Sequence, residues 1–134
     1  MDEYSEEILD HYLRPRKRGR IAGASAKATL ANPVCGDRIS VQLKISGGKI
    51  EKAAFEGTGC AISTAAASMF MEEIEGKSVS TVRKFGRPEI MRLLKVGLTP
   101  AREHCALISL EAVQKALGEF GLRAENRGRN RRKA

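Results

Sequence analysis

The sequence predicts an α+β fold, with a small three-stranded antiparallel sheet in the first half of the chain and helices after it. Apolar and polar residues alternate over 39–45, as in a strand with one buried face. The pair Gly47 and Gly48 is typical of a hairpin turn, and residues 50–56 can form the returning strand. Lys52 interrupts the alternation there and predicts a β-bulge. Beyond the sheet, apolar residues recur three and four positions apart, which indicates helices.

The segment before residue 39 is predicted to contain a short helix, a basic connector and the third strand. Apolar residues at helical spacing between Tyr4 and Leu13, followed by a proline, predict an amphipathic helix. The connector, residues 14–20, contains five basic residues, and we interpret it as a solvated surface, with docking to a partner as the alternative. Residues 26–31 can form the remaining strand, which leads into a loop at 32–37.

Three further helices are predicted from apolar stripes in the second half of the chain. They cover about 61–75, where Gly76 favours a stop, then 88–97, and finally a segment from Cys105 to about residue 120.

The C-terminal segment differs in composition from the rest of the chain. From residue 123 the apolar periodicity is lost and arginine predominates, which predicts a disordered structure. A chain of 134 residues can bury one core. The predicted organisation is therefore one domain over 1–122 and a basic disordered tail over 123–134.

Composition and charge narrow the function classes. The formal net charge is +8, and much of the excess lies in the connector and the tail. There is no Trp and there are only two Tyr and four Phe, so aromatic platforms for nucleic acid are not expected. Three cysteines, an odd number, argue against a disulfide framework and favour the reducing cytoplasm. The acidic N terminus argues against a secretory signal, and the lack of a long apolar run argues against a membrane span.

The cysteines at positions 35, 60 and 105 are the candidates for metal chemistry. They form no C-x-x-C pair, so a metal site must be assembled by the fold. Cys35 lies in a loop shaped by proline and glycine, while Cys60 and Cys105 are predicted at helix starts, where the helix dipole favours a thiolate. With Asp37 or His104 as fourth ligand, the set suits zinc and also the iron of a cluster. His104 is equally consistent with a surface residue.

Three separated motifs carry a resemblance to a known family. In chain order they are Asn32-Pro33-Val34-Cys35-Gly36-Asp37-Arg38, Phe55-Glu56-Gly57-Thr58-Gly59-Cys60-Ala61-Ile62-Ser63 and Pro100-Ala101-Arg102-Glu103-His104-Cys105-Ala106-Leu107. Together they resemble the iron–sulfur cluster scaffold family that comprises IscU, SufU and the N-terminal domain of NifU, over roughly residues 4–120.

The motifs divide between the branches of this family. The region around Cys60 resembles SufU, whereas His104 beside Cys105 resembles IscU, and the insertion that SufU proteins carry before the last cysteine is missing. The chaperone-recognition motif Leu-Pro-Pro-Val-Lys of many IscU proteins is replaced here by Leu-Thr-Pro-Ala-Arg at 98–102. A dedicated chaperone partner is therefore not implied.

The resemblance implies helices packed on one face of the sheet and a metal site at one exposed end. The implied protein is a scaffold and not an enzyme. It would accept sulfur from a cysteine desulfurase, bind iron, hold a transient 2Fe-2S cluster and transfer it to apo iron–sulfur acceptor proteins. The implied ligands are Cys35, Asp37, Cys60, His104 and Cys105, with Cys35 or Cys105 as the sulfur acceptor. The oligomeric state is left open, a homo-oligomer around a cluster being one arrangement.

Two alternatives remain at this point. In the first, the same residues bind zinc and the protein is a sulfurtransfer partner that activates a cysteine desulfurase, as the likeness to SufU implies. In the second, the arginine-rich tail binds nucleic acid, which the scarcity of aromatic residues disfavours.

Overall fold

A computed structural model describes residues 6–32 and 36–133, with side chains described as far as residue 121. Within these residues the chain forms five helices and three strands. In chain order they are α1 (Glu6–Leu13), β1 (Ala26–Asn32), β2 (Asp37–Ser46), β3 (Lys49–Thr58), α2 (Ala61–Ile74), α3 (Val79–Arg83), α4 (Arg87–Leu94) and α5 (Pro100–Lys133).

The three strands form one antiparallel sheet in the order β1-β2-β3, which confirms the α+β prediction. Gly47 and Gly48 both have positive φ angles, 58° and 75°, as a two-residue hairpin turn with the twist of the sheet requires. The register shifts between Lys44 and Ile45, so the predicted bulge is present.

One face of the sheet is buried by helices and the other is polar. Ile39, Val41 and Leu43 of β2 are at most 1% exposed and point towards α2 and α5, while the residues between them point outward. Three consecutive alanines of α2, residues 65–67, are also buried, and their small size permits close packing. The core is built from aliphatic side chains, alanine and two buried phenylalanines, Phe55 and Phe70.

Helix α2 agrees with the predicted helix over 61–75. Its N-cap is Cys60 and its C-cap is Glu75, after which Gly76 adopts a φ of 86°. A left-handed residue just beyond the last turn is the usual way to end a helix, and glycine adopts it without steric cost.

Two helices in the second half differ from the predictions. Helix α4 ends at Leu94 because Lys95 takes the left-handed conformation, before the glycine expected to end it. Helix α3 was not predicted. With five residues it is too short for periodicity to reveal, although Ser78 caps it by accepting the N–H of Thr81.

Helix α5 differs from the prediction at both ends. It starts at Pro100, ahead of Cys105, because the Thr99 hydroxyl accepts the N–H of Arg102 and proline is favoured in the first helical position. Its backbone stays helical to Lys133, where a disordered structure is predicted from residue 123. The division into a domain and a tail at residue 122 stays a prediction.

The connector between α1 and β1 covers the free edge of the sheet at β3. The N–H of Gly19 donates to the carbonyl of Phe55, and the N–H of Phe55 donates to the carbonyl of Lys17, both at 2.9 Å. These bonds form an isolated parallel bridge at Arg18. Further along, the N–H of Ile21 donates to the side chain of Gln42 on the outer face.

The basic residues of the connector are held by acceptors within the chain. Asp10 pairs with Arg14 and Arg16, and the hydrogen bond from Arg16 lowers the pKa of the Asp10 carboxyl. Elsewhere Lys17 pairs with Glu75, Arg20 pairs with Glu56, and Arg18 donates to the carbonyl of Gly57. The interpretation of this segment as merely solvated was therefore incomplete.

A buried polar network fixes α1 against α2 and gives His11 a structural role. The Ser68 hydroxyl accepts the N–H of Arg16 at 2.8 Å and lies 2.7 Å from Nδ1 of His11. Nε2 of His11 faces Glu72 at 3.8 Å. Burial lowers the pKa of His11, since the charged imidazolium would lose its hydration there.

Candidate metal centre

The sheet topology brings Asp37 and Cys60 together. Asp37 is the first residue of β2, and Cys60 follows the last residue of β3, which is the antiparallel neighbour of β2. The start of one strand and the end of the next therefore meet at one end of the sheet. Asp37 is 2% exposed, and Cys60 is half-buried.

The Asp37 carboxylate holds the start of helix α2. The backbone N–H of Cys60 donates to Oδ1 of Asp37 at 3.1 Å, and Sγ of Cys60 lies 3.9 Å from Oδ2. As the N-cap residue, Cys60 offers no side-chain hydrogen bond to the helix. One carboxylate oxygen therefore positions the Cys60 backbone while the other faces its thiol.

Cys105 completes a cluster of three side chains with ligand atoms. One ligand atom each from Asp37, Cys60 and Cys105 lie within 4.8 Å of one another. Cys105 is 3% exposed and belongs to the core, and neither it nor Cys60 is joined in a disulfide within the described part of the chain. Ligands at about 2.0–2.3 Å from a tetrahedral ion lie roughly 3.3–3.8 Å apart, so side-chain shifts of about 1 Å or less would let these three bind one ion.

The prediction that Cys105 lies at a helix start was wrong. Because α5 begins at Pro100, Cys105 is in its second turn, beyond the first turn that carries free N–H groups. The helix-start argument for a reactive thiol therefore does not apply to Cys105. The same prediction is confirmed for Cys60, at the N-cap of α2.

Two glycines make room for this arrangement. A Cβ on Gly57, whose φ is +157°, would lie 2.0 Å from the carbonyl oxygen of Arg38 on the neighbouring strand. A Cβ on Gly59 would lie 2.2 Å from Oγ of Ser63 and 3.0 Å from Oδ1 of Asp37. The Gly-x-Gly pattern before Cys60 is therefore a packing requirement of the centre, which sequence analysis did not recognise.

The structure does not add the other two predicted ligands to this cluster. Cys35 lies outside the described residues. His104 is exposed and, although it neighbours Cys105 in sequence, it lines a separate cavity of about 230 Å³ between β1 and α5. The other lining residues of this cavity are Leu30, Ala31, Asn32, Ile108 and Glu111. Both residues remain predicted ligands.

The described donors fit either zinc or iron. Two sulfurs and one carboxylate oxygen form a mixed soft and hard set, one donor short of tetrahedral coordination. Cys35, two residues before Asp37 in sequence, is the natural candidate for the fourth.

Fold and site together define a small α+β domain with a candidate metal centre at one end of its sheet. Residues 3–127 match the model of the NifU-like N-terminal domain, and the chain belongs to this family.

Relatives within the family have names from two branches. The chain is 32% identical to the iron–sulfur cluster assembly scaffold protein IscU 1 of Archaeoglobus fulgidus, over 87% of this chain and 76% of that protein. It is 35% identical to the zinc-dependent sulfurtransferase SufU of Bacillus subtilis, over 87% of this chain and 90% of that protein. A crystal structure of a SUF-system scaffold protein from Fervidobacterium islandicum superposes with a TM-score of 0.72 at 28% identity, covering 87% and 97% of the two chains.

Among the described residues, no helix combines the length and the apolar character needed to cross a membrane.

Proposed function

We propose that this protein is a scaffold for iron–sulfur cluster assembly, which accepts sulfur from a cysteine desulfurase, binds iron and passes a nascent 2Fe-2S cluster to apo-proteins. The observation that carries the proposal is the convergence of Asp37, Cys60 and Cys105 at one end of the sheet. Names of relatives such as IscU of Archaeoglobus fulgidus support it. As in the sequence prediction, the protein would work in the cytoplasm and would not be an enzyme.

The cluster would be held by the thiols and the Asp37 carboxylate. Thiolates are the usual ligands of iron–sulfur clusters, and a carboxylate oxygen is harder and binds such iron less well. With Cys35, Cys60 and Cys105 as sulfur ligands, Asp37 would be the weakest contact and the first to be released on transfer. His104 is a candidate for replacing a cysteine ligand that carries sulfur.

Sulfur would arrive as a persulfide on the desulfurase. A scaffold thiolate attacks its outer sulfur, a new S–S bond forms, and the desulfurase cysteine leaves as a thiolate. Reduction of each delivered sulfur to sulfide takes two electrons from an external thiol or ferredoxin-type reductant. Of the two candidate acceptors, Cys35 and Cys105, the second is 3% exposed. Direct attack by Cys105 would need it to become accessible, which favours Cys35.

A second function is favoured by the likeness to SufU of Bacillus subtilis. In this alternative the same four residues, Cys35, Asp37, Cys60 and Cys105, bind one zinc ion, and the protein accepts sulfur and so accelerates the desulfurase. Zinc prefers four sulfur, nitrogen or oxygen ligands in a tetrahedron and is not redox-active, so it would leave sulfur transfer to the thiols.

The experiment that separates the two functions is an anaerobic mixture of the purified chain with cysteine desulfurase, cysteine and ferrous iron. Visible absorption follows cluster formation, and addition of an apo-ferredoxin follows transfer. A cluster spectrum that forms and then moves to the ferredoxin supports the scaffold. Faster desulfurase turnover with zinc-loaded protein, without any cluster, supports the sulfurtransfer function.

A further inference from the structure

The outer face of the sheet brings three lysines together at the end far from the metal centre. We name Lys27 on β1, Lys44 on β2 and Lys52 on β3 the lysine cluster. Lys44 lies directly opposite Lys52 in the antiparallel register, and Lys27 lies opposite Gln42, diagonal to Lys44. Opposite residues have Cβ atoms about 5 Å apart, and diagonal residues lie about 7–8 Å apart. Three positive charges therefore occupy neighbouring positions on three strands.

The described part of the chain gives these lysines no acidic partner. Near this end, Lys17 pairs with Glu75 and Lys77 pairs with Glu73, whereas no ion pair or side-chain hydrogen bond among the described residues includes a member of the cluster or Lys49 at the hairpin. Like charges directly opposite one another destabilise a sheet. The strand register thus creates an unfavourable arrangement, and no ion pair among the described residues offsets it.

A groove adjoins the lysine cluster. It has a volume of about 410 Å³, lies between the connector and β3, and includes Lys52 in its wall. Four basic residues line it against two acidic ones, Glu51 and Glu75, and Glu75 is already paired with Lys17. Of the other basic side chains, Arg20 is paired with Glu56, which does not line the groove, and Arg18 donates to an uncharged carbonyl, that of Gly57. A flat positive surface thus borders a concave one of the same sign.

We propose that the lysine cluster and this groove form a docking surface for a protein partner that presents clustered carboxylates. Charge complementarity carries the proposal: such a partner would supply counter-charges to Lys27, Lys44 and Lys52, for which the described residues provide none, and one of its acidic side chains could enter the groove. Complementary charge of this kind raises the rate of association and selects the partner.

The chemistry of the surface favours a protein over a nucleic acid. The outward-facing positions of the three strands contain no aromatic side chain on which a base could stack.

The docking surface is separate from the metal centre. Lys44 follows Asp37 by seven residues along β2, which corresponds to about 23 Å at the rise of an extended strand. A partner on the lysine cluster could therefore remain bound while the opposite end exchanges sulfur or metal. This inference rests on the proposed function only for the partner's role, because the surface itself is independent of the metal.

The first test uses the full chain, labelled with ¹⁵N, and a glutamate-rich peptide as the acidic probe. Amide shifts should change first at the lysine cluster and along the groove. Reversal of the charges of the lysine cluster, in the triple variant K27E/K44E/K52E, should weaken binding of the peptide about tenfold or more at low ionic strength. It should also make this binding less sensitive to salt. The neutral triple variant K27Q/K44Q/K52Q provides the same comparison if charge reversal impairs folding.

The matched control changes three exposed basic residues on the helix side by the same total charge, in the triple variant R83E/K84E/K115E. It should retain most of the affinity for the peptide. Equal weakening in the control and the cluster variant, or shifts restricted to residues beyond 121, would overturn the proposal. If a DNA duplex binds the lysine cluster more tightly than the peptide does, the proposal is also overturned, in favour of a nucleic-acid partner.

Assembly of the iron–sulfur cluster provides the final comparison between the wild-type chain and the lysine variant. The K27E/K44E/K52E variant should load iron and sulfide in a chemical reconstitution as well as the wild-type chain does. Failure of both proteins to form a cluster, with peptide binding intact, would reject the proposed scaffold function and leave the docking surface standing.

Discussion

The two ends of the sheet differ in how the chain compensates their unfavourable features. At the metal end, the buried Asp37 carboxylate accepts the Cys60 N–H, and glycines remove the clashes that this packing would cause. At the other end, Lys44 faces Lys52 across two strands with no described acidic partner. The comparison suggests that the first end is organised by the chain itself, whereas the second is completed by another molecule.

The largest effect is expected from a methyl group added at the metal end. In Gly57→Ala the new Cβ would lie 2.0 Å from a backbone oxygen of β2, and relief of this overlap should cost about 1–3 kcal/mol in the free energy of unfolding. Chemical denaturation measures it. The control is Gly118→Ala, which has nothing within 4 Å of its new Cβ and should stabilise α5 by up to about 1 kcal/mol. Equal effects would contradict the claim that the metal end is tightly packed.

Removal of the carboxylate tests its two roles at the metal end. Asp37→Ala leaves the Cys60 N–H without its acceptor, which costs about 1–3 kcal/mol when such a group is buried and less here, where Cys60 is half-buried. It also removes the weakest ligand, which is the one expected to be released first on transfer. Transfer of the iron–sulfur cluster to an apo-ferredoxin should therefore become several-fold slower. Asp37→Asn is the control, because its amide oxygen can still accept the N–H. Unchanged transfer in Asp37→Ala would refute the ligand role.

Mild acid should lower the free energy of unfolding through His11, which lies in neither end of the sheet. Burial lowers the pKa of His11 below its ordinary value of 6.5, so the unfolded state binds the proton more readily. The contribution of neutral His11 to stability is therefore complete above pH 6.5, and it is lost as the pH falls through 6.5 towards the lower pKa of the folded state. Thermal unfolding between pH 7.5 and 5.5 measures the loss, and in His11→Gln the curve should be flatter. An equally steep curve in that variant would assign the effect to another group.

The smallest effect is expected at the lysine end, and its sign is unusual for a surface change. Lys52→Glu replaces a repulsive cross-strand pair with an attractive one, so it should raise the free energy of unfolding by about 0.2–1 kcal/mol at low salt. Lys84→Glu, at an exposed position on the helix side, is the control for net charge. A decrease in stability specific to Lys52→Glu would show that an internal contact compensates Lys44.

The sequence predicted the local features of the fold well. Alternation in β2, the Gly47-Gly48 turn and the end of α2 at Gly76 each depend on a few neighbouring residues, and all three are confirmed. The position of Cys105 was misjudged, although the Thr99-Pro100 pair before it is a recognisable helix start.

The features that could not be predicted depend on contacts between distant segments. The lysine cluster emerges only once the strand register places Lys44 opposite Lys52. The ion pair between Lys17 and Glu75 likewise joins residues that sequence patterns do not relate. For the metal centre, Asp37, Cys60 and Cys105 were predicted as ligands from the sequence, but only the structure shows that their ligand atoms lie close together.

The connector on β3 has a consequence for how this protein can associate with others. An uncovered strand edge invites another strand to add to it, and sheets extended in this way lead to aggregation. The bridge from Lys17 and Gly19 to Phe55 occupies part of that edge with the chain's own backbone. This cover leaves less of the β3 edge open to strand addition, so that contacts with other proteins at this edge depend on recognition by side chains.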